Sequence, residues 1–253
     1  MPTLADLIQL SRAVGAPELD AAILGEGNTS ARCDEGTFWV KASGCQLGTM
    51  VEADTVHLRF DRILALLDET NVDEARLKQV YEAAKVDPGQ TRRPSVETLF
   101  HAVLLAQPGI QAVAHTHATA VNGLTCSPRF PEVLAGRICP DEAVVMGPDS
   151  VFIPYIDPGV ELAKAIKAGC DQYRARWGQP AKVIYMQNHG IIAVGSTTTE
   201  ALQITAMAIK AARMRLFALQ AGGIHPLPAS VVAHLLNRPD EKYRQAALAG
   251  AGR

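Results

Sequence analysis

The hydrophobic positions of the chain change period along its length, from a helical repeat to short apolar runs. Helical periodicity, often with turn residues at the segment ends, is found at 3–15, 52–85, 96–107 and 198–221. Short runs rich in β-branched or apolar residues predict strands at 37–42, 110–117, 150–154, 181–186 and 191–195. Two glycine-containing stretches, 25–30 and 43–44, are predicted as turns.

The spacing of the last two strands indicates how the sheet is built. Only residues 187–190 separate them, a gap that suits a hairpin, so antiparallel pairs are expected. Helices and a partly antiparallel sheet therefore share one fold of the α/β class. A chain of 253 residues lies within the range of one large domain, and we expect residues 1–253 to form a single domain.

Composition and charge exclude several classes of protein. The content of 48% hydrophobic and 20% charged residues is that of an ordinary globular protein, and a net charge of −2 argues against a nucleic-acid partner. No apolar run approaches the ~20 residues of a membrane-spanning helix, and residues 1–6 lack the basic start of a secretory signal. The five cysteines are scattered without a C-x-x-C pair, so we expect a reducing, cytoplasmic location and no membrane partner.

The sharpest chemical feature is the pair His115 and His117 on a predicted strand. Side chains at i and i+2 of a strand point to the same face, so both imidazoles can reach one cation. Zinc takes imidazole nitrogen at ~2.0–2.1 Å and needs three or four ligands. The alternative is a pair of histidines satisfied by hydrogen bonds in a half-buried strand.

His189, in the predicted hairpin turn, is the candidate third ligand. Alone it would be an ordinary polar turn residue. Beside two strand histidines it would complete a three-imidazole site with open positions for substrate, as catalytic metal sites have. His101 lies one helical turn after Glu97 and would either orient that carboxylate or serve packing.

Glu97 follows Ser95, whose hydroxyl is expected to cap a helix that begins at Val96. A carboxylate at such a place either stabilises the helix dipole or acts as a general acid/base beside a metal, and spacing alone does not choose. The glycines of the turns at 25–30 and 43–44 would let backbone N–H groups approach an anion closely.

In combination, five motifs resemble the class II aldolase/adducin family, which includes fuculose-phosphate and rhamnulose-phosphate aldolases and ribulose-phosphate 4-epimerase. The similarity is greatest to aldolase modules that elsewhere are fused to a short-chain dehydrogenase. The motifs follow the family's order: Gly27-Asn28-Thr29-Ser30, Lys41-Ala42-Ser43-Gly44, Pro94-Ser95-Val96-Glu97, His115-Thr116-His117 and Asn188-His189-Gly190.

The resemblance implies a three-layer αβα sandwich with a central, largely antiparallel sheet, and a homotetramer with active sites between subunits. It implies a divalent cation on His115, His117 and His189, with Glu97 as the proton-transfer residue. Zn²⁺ is the expected ion, and Mn²⁺ or Co²⁺ are the alternatives, because imidazole suits all three.

The resemblance also implies an anion-binding end for a sugar or sugar-phosphate substrate. Its expected lining residues are Asn28, Ser43, Gly44 and Ser95. Val96 stands where the family's sugar-phosphate aldolases usually have a second serine, so one hydroxyl donor is missing. A carboxylate or a non-phosphorylated substrate is therefore an alternative.

The reaction implied is retro-aldol cleavage of a ketose or ketose-1-phosphate through a metal-stabilised enediolate. A decarboxylase, a 4-epimerase or a dehydratase would use the same metal site. A non-catalytic, adducin-like assembly module is the alternative of a different class, and lost histidine ligands would mark it. The tyrosine that such aldolases receive from a neighbouring subunit has no secure match, and Tyr155 and Tyr243 are the candidates.

Overall fold

The computed structural model describes residues 1–240. Its seven strands are β1 (Asn28–Arg32), β2 (Thr37–Lys41), β3 (Thr55–Arg59), β4 (Ala112–Thr116), β5 (Val151–Ile153), β6 (Val183–Met186) and β7 (Gly190–Gly195). The α-helices of this part of the chain are α1 (Leu4–Val14), α2 (Phe60–Leu64), α3 (Glu74–Ala83), α4 (Thr98–Leu105), α5 (Thr119–Thr125), α6 (Pro140–Met146), α7 (Val160–Trp177), α8 (Thr198–Gln220) and α9 (Ala229–Asn237). Tyr243, one of the two candidate tyrosines, lies outside the described residues.

All seven strands form one sheet in the order β3-β2-β1-β4-β7-β6-β5. Only the pairing of β5 with β6 is parallel, and the other pairings are antiparallel. The predicted hairpin of β6 and β7 is present, with Met186 opposite Gly190. The prediction of a largely antiparallel sheet is therefore confirmed.

Helices cover both faces of the sheet, which gives the predicted three layers. On one face, alternate strand residues such as Val113 and Ile192 pack against α2, α3, α4 and α7. On the other face, their neighbours Ala114 and Ala193 lie under α1, α5 and α8. Because side chains alternate along a strand, β4 is buried on both sides, and His115 shares the face of Val113 toward α4.

Two secondary-structure predictions are wrong. Residues 55–59, predicted as part of a helical region, form the edge strand β3, in which Val56 and Leu58 are fully buried. Their alternation of apolar and polar residues is short and lies between helical segments, so the helical period of the wider window hid it. Asn28 and Ser30, predicted in a turn, belong to β1, because the chain enters the sheet directly after Gly27.

The helix before β4 begins two residues later than predicted. Glu97 is its N-cap residue and Thr98 its first helical residue, whereas Ser95 and Val96 form the preceding turn. The hydroxyl of Ser95 accepts a hydrogen bond from the Glu97 N–H at 3.3 Å, so it caps this turn. Within residues 1–240 no helix is both long enough and apolar enough to cross a membrane.

Candidate active site

The centre of the candidate site lies at the end of β4, in the middle of the sheet. His115 is fully buried, opposite Asn28 of β1. Its Nδ1 lies 3.0 Å from the carbonyl oxygen of Ile191. A carbonyl only accepts, so Nδ1 carries the ring proton, and the lone pair of Nε2 is directed away from the sheet.

His117 follows one residue after the end of β4, on the same face as His115. The Nε2 atoms of the two rings are 3.0 Å apart, and the ring centroids are 4.8 Å apart. The side chain of His117 is 26% exposed, whereas that of His115 is inaccessible. The pair therefore has one buried member and one member at the surface of the site.

The tight turn between β6 and β7 brings His189 to the same point. Its ring centroid is 4.9 Å from that of His115 and 5.2 Å from that of His117. Asn122 of α5 donates a hydrogen bond to the His189 carbonyl at 3.2 Å. A Cβ atom at Gly190 would lie 2.5 Å from the Thr116 carbonyl oxygen, so only glycine permits this approach.

The three rings have the geometry of a site for one cation. Each offers one nitrogen, and the three nitrogens all lie within 4.8 Å of one another. Burial lowers the pKa of His115 to about 3, and it also lowers the pKa of His117, which favours neutral rings with available lone pairs. The donor set therefore fits a divalent metal of the zinc type, with further positions open for substrate.

Glu97 is the acidic group at this centre. Its Oε1 is 3.0 Å from Nε2 of His189, and its Oε2 is 3.5 Å from Nε2 of His115. Burial alone would raise the pKa of Glu97. The charge that His115 and His189 carry when protonated, together with the hydrogen bonds from His189 and Asn28, lowers it by more, so the pKa lies well below the ordinary glutamate value. Glu97 is thus an ionised, buried carboxylate beside the three imidazoles.

A hydroxyl from α3 holds the turn that carries Glu97. Tyr81 donates to the Val96 carbonyl at 3.2 Å and accepts from the Leu99 N–H at 3.1 Å. It therefore bonds the backbone on both sides of Glu97 and satisfies one of the unpaired N–H groups at the start of α4. Nothing in the sequence near Tyr81 indicated this role.

A second set of hydrogen bonds reaches Glu97 from β1. Asn28 Nδ2 donates to Glu97 Oε2 at 2.6 Å and to Ser95 Oγ at 3.1 Å. Asn28 Oδ1 contacts Nε2 of His101, whose Nδ1 lies 2.6 Å from Ser30 Oγ. His101 is fully buried, and burial lowers its pKa to about 3. His101 therefore contributes hydrogen bonds to the site as well as packing.

A second carboxylate, that of Glu26, lies beside the cluster of His115, His117 and His189. Oε2 of Glu26 is 3.5 Å from Nδ1 of His117, and its Oε1 accepts from the Ile23 N–H at 2.7 Å. Glu26 follows an exposed apolar pair, Ile23 and Leu24. Carboxylates in this position fix the tautomer of a metal-binding histidine. Residues 25–30 are predicted as a turn whose backbone N–H groups could bind an anion, so the sequence predicts no role for the Glu26 side chain.

The predicted anion-binding turn is joined to the segment that leads to Ser95. Ser43 and Gly44 are exposed, and the Ser43 N–H donates to the Arg93 carbonyl at 2.8 Å, which joins the turn to the segment before Ser95. Lys41, one residue before Ala42 in the same motif, is only 2% exposed, and its Nζ donates to the Gly25 carbonyl at 3.2 Å. Burial lowers the pKa of Lys41.

Comparison with known proteins places the chain in a wider group. Residues 5–216 match the family described as "Class II Aldolase and Adducin N-terminal domain". The chain is 28% identical over 196 residues to "Uncharacterized oxidoreductase YuxG" of Bacillus subtilis, covering 74% of this chain and 26% of that protein. It is 29% identical over 179 residues to a "Probable bifunctional methylthioribose-1-phosphate isomerase/methylthioribulose-1-phosphate dehydratase" of Nocardia farcinica, covering 69% and 28%. The chain therefore spans about a quarter of the length of these curated relatives.

Solved structures share the fold. The N-terminal class II aldolase domain of a conserved protein from Thermoplasma acidophilum has a TM-score of 0.68 at 25% identity, covering 85% of this chain and 94% of that one. A structure of L-fuculose 1-phosphate aldolase has a TM-score of 0.68 at 20% identity, covering 96% and 98%.

Proposed function

Because the chain belongs to the class II aldolase and adducin family, we propose that it is a divalent-metal-dependent carbon–carbon lyase. Its substrate is a ketose or a ketose-1-phosphate, which it cleaves by retro-aldol chemistry. One observation carries the proposal: three imidazole nitrogens lie within 4.8 Å of one another, next to the buried carboxylate of Glu97.

His115, His117 and His189 would hold the cation, and Zn²⁺ is the ion that best suits three imidazoles with open positions. A cation bound there supplies Lewis-acid chemistry, stabilising the negative charge that develops at a substrate carbonyl during cleavage. The fixed Nδ1–H of His115 supports this assignment, because it leaves Nε2 as the ligand atom.

Glu97 would move the proton to and from the carbon of the cleaved bond. An ionised carboxylate can accept a proton, and its burial removes water that would compete for it. The hydrogen bonds from Asn28 and the Tyr81-held turn orient this carboxylate before substrate arrives. General acid–base catalysis of this kind contributes roughly 10²–10⁴-fold to a rate.

The anionic end of the substrate would bind at Ser43, Gly44 and Ser95, with Lys41 as an added cation. Asn28 would line this end of the site, with its amide group already bonded to Glu97, Ser95 and His101. Ser95 Oγ accepts from both Asn28 Nδ2 and the Glu97 N–H, so its own O–H is available to an anion. Lys41 uses one N–H for the Gly25 carbonyl, which leaves two for an anion. The positive charge supports an anionic substrate.

A second candidate reaction uses the same site. Val96 is 50% exposed at the position where a serine would offer another donor to a phosphate. This favours a substrate with a carboxylate, and the reaction would then be a decarboxylation. The dehydratase named for the curated relative from Nocardia farcinica is a further alternative, since all of these reactions stabilise an enolate.

The decisive experiment combines metal analysis with a substrate panel. The purified chain should contain about one zinc per chain after dialysis against the ion. Ketose-1-phosphates, free ketoses and 3-keto acids are then assayed with zinc. EDTA should abolish turnover of the active substrate and zinc should restore it. A chain that binds no metal and turns over none of the panel would instead support the adducin-like assembly module.

Oligomeric state is part of the same proposal. We expect a homotetramer whose active sites receive a residue from a neighbouring subunit, with Tyr155 as the described candidate because it is 57% exposed. Light scattering after gel filtration measures the mass directly. A monomer that retains full turnover would remove the tetramer, and the requirement for a partner's tyrosine, from the proposal.

A further inference from the structure

The buried carboxylate of Glu97 has two oxygens in different surroundings. Oε2 receives the short bond from Asn28 Nδ2, at 2.6 Å. Oε1 is inaccessible to solvent and faces only Nε2 of His189, at 3.0 Å. A nitrogen that binds a cation carries no proton, so His189 would then give Oε1 no hydrogen bond. The two oxygens are therefore not equivalent.

The direction of the bonds behind Oε2 follows from the atoms that Asn28 contacts. Its amide nitrogen Nδ2 only donates, and it faces Glu97 Oε2 at 2.6 Å and Ser95 Oγ at 3.1 Å. Asn28 Oδ1 must then face Nε2 of His101, and this nitrogen must carry the proton. A neutral imidazole has one N–H, so Nδ1 of His101 accepts, and the Ser30 hydroxyl at 2.6 Å donates to it.

The opposite tautomer would be unfavourable at every link. A proton on Nδ1 of His101 would leave Nε2 as an acceptor, and Asn28 would have to turn its amide nitrogen toward the ring. Its oxygen would then face Glu97 Oε2 without a proton between them, and both residues are buried. Two buried acceptors left facing each other are unfavourable, because neither is hydrogen-bonded.

We propose that Ser30, His101 and Asn28 form a directional hydrogen-bond chain that fixes Oε2 of Glu97 and so orients the carboxylate for proton transfer. Ser30 and His101 are positioning residues, because they act through Asn28 and Glu97. The effect on proton transfer rests on the proposed function, whereas the direction of the chain does not. The order of donors runs from the sheet interior to the carboxylate.

The direction is tested by nuclear magnetic resonance on the zinc-loaded chain without substrate. A two-bond ¹H–¹⁵N correlation spectrum distinguishes the imidazole tautomers, and the His101 signals are identified by their loss in His101→Gln. We expect the Nε2–H form. An Nδ1–H form would overturn the proposal. His57→Gln is the matched control, because His57 also bonds a hydroxyl, that of Thr37 at 2.9 Å, but lies on the edge strand β3.

The consequence for Glu97 is tested by a double-mutant cycle on the substrate that the panel identifies. His101→Phe keeps a ring next to Phe100, whose centroid is 4.7 Å from that of His101, but removes both hydrogen bonds. We expect kcat to fall by about 10–100-fold with KM and zinc content little changed, as for other residues that orient a reacting group. His101→Gln, which retains a donor, should recover part of the loss.

Coupling separates positioning from general structural damage. Once Asn28→Ala has removed the link to Glu97, adding His101→Phe should lower kcat no further. If the kcat losses of the two single variants simply multiply in the double variant, the proposal that the hydrogen-bond chain positions Glu97 is overturned. If no panel substrate is turned over, the proposed function fails, and the tautomer of His101 still decides the direction of the chain.

Discussion

Two buried glutamates in this molecule have nearly the same exposure and opposite surroundings. Glu142 of α6 is fully buried, and its Oε1 is 2.8 Å from Nη1 of Arg215 and 3.6 Å from Nη1 of Arg137. Its Oε2 accepts from the Ile138 N–H at 2.8 Å. Glu97 is 8% exposed and faces imidazoles and one amide. One carboxylate is neutralised by permanent cations, and the other has none at hydrogen-bond distance.

This difference shows how burial serves structure in one case and chemistry in the other. Arg137 also donates to the carbonyl oxygens of Met146, Gly147 and Asp149, so its pair with Glu142 holds the loop that leads into β5. Both oxygens of Glu142 are occupied by groups that cannot leave. Glu97 has one oxygen held by Asn28 and one next to Nε2 of His189, a nitrogen that can bind a cation instead, so the carboxylate remains able to accept a proton.

The largest effect is expected from Glu97→Gln. The amide is nearly isosteric but cannot take a proton, so turnover should fall by roughly 10²–10⁴-fold, the usual contribution of a general acid/base. Zinc content should be unchanged, because the three imidazoles remain. Turnover is measured on the panel substrate, and metal by elemental analysis. Undiminished turnover in this variant would reject Glu97 as the proton-transfer residue.

Glu142→Gln should instead lower stability. It leaves Arg137 and Arg215 as buried charges without a counter-charge, which costs about 3–5 kcal/mol when one partner of a buried pair is removed. Denaturant unfolding measures the loss. Glu132→Gln is the matched control, since its pair with Arg129 is exposed to solvent and should contribute little to stability. Equal losses in the two variants would show that burial of the Glu142 cluster has no special cost.

Local patterns predicted the parts of the fold that have a clear period or clear end signals. The helix α8 and the hairpin of β6 and β7 are found where the sequence places them. The strand β3 was missed, because five alternating residues between helices give a weak signal. The start of α4 was placed two residues early, since Ser95 has the chemistry of an N-cap but bonds within the turn before the helix.

The same limit applies to the candidate site. The spacing of His115 and His117 predicts directly that both side chains lie on one face, since residues i and i+2 of a strand point the same way. The link between His101 and Asn28 depends on how α4 packs on β1, and the register that sets Asn28 opposite His115 is a tertiary property. Family resemblance supplied Asn28 and Ser95, whereas Tyr81 and Glu26 required the folded chain.

The smallest of these effects is expected at Glu26, which tests whether a carboxylate outside the cluster supports it. Its bond to Nδ1 of His117 would keep the proton on that nitrogen and Nε2 available to a cation. Glu26→Gln should weaken zinc binding by about tenfold, the lower range for such outer contacts. Competition with a chromogenic chelator measures the affinity without any substrate.

Glu18→Gln is the control, because Glu18 is an exposed glutamate of the same N-terminal region, and this variant should leave the zinc affinity unchanged. Because Glu26 carries a charge that the Gln variant lacks, the loss should shrink in high salt if long-range attraction rather than the hydrogen bond dominates. An affinity equal to that of the unmodified chain would show that the Ile191 carbonyl on His115 and the turn at His189 suffice to organise the three rings.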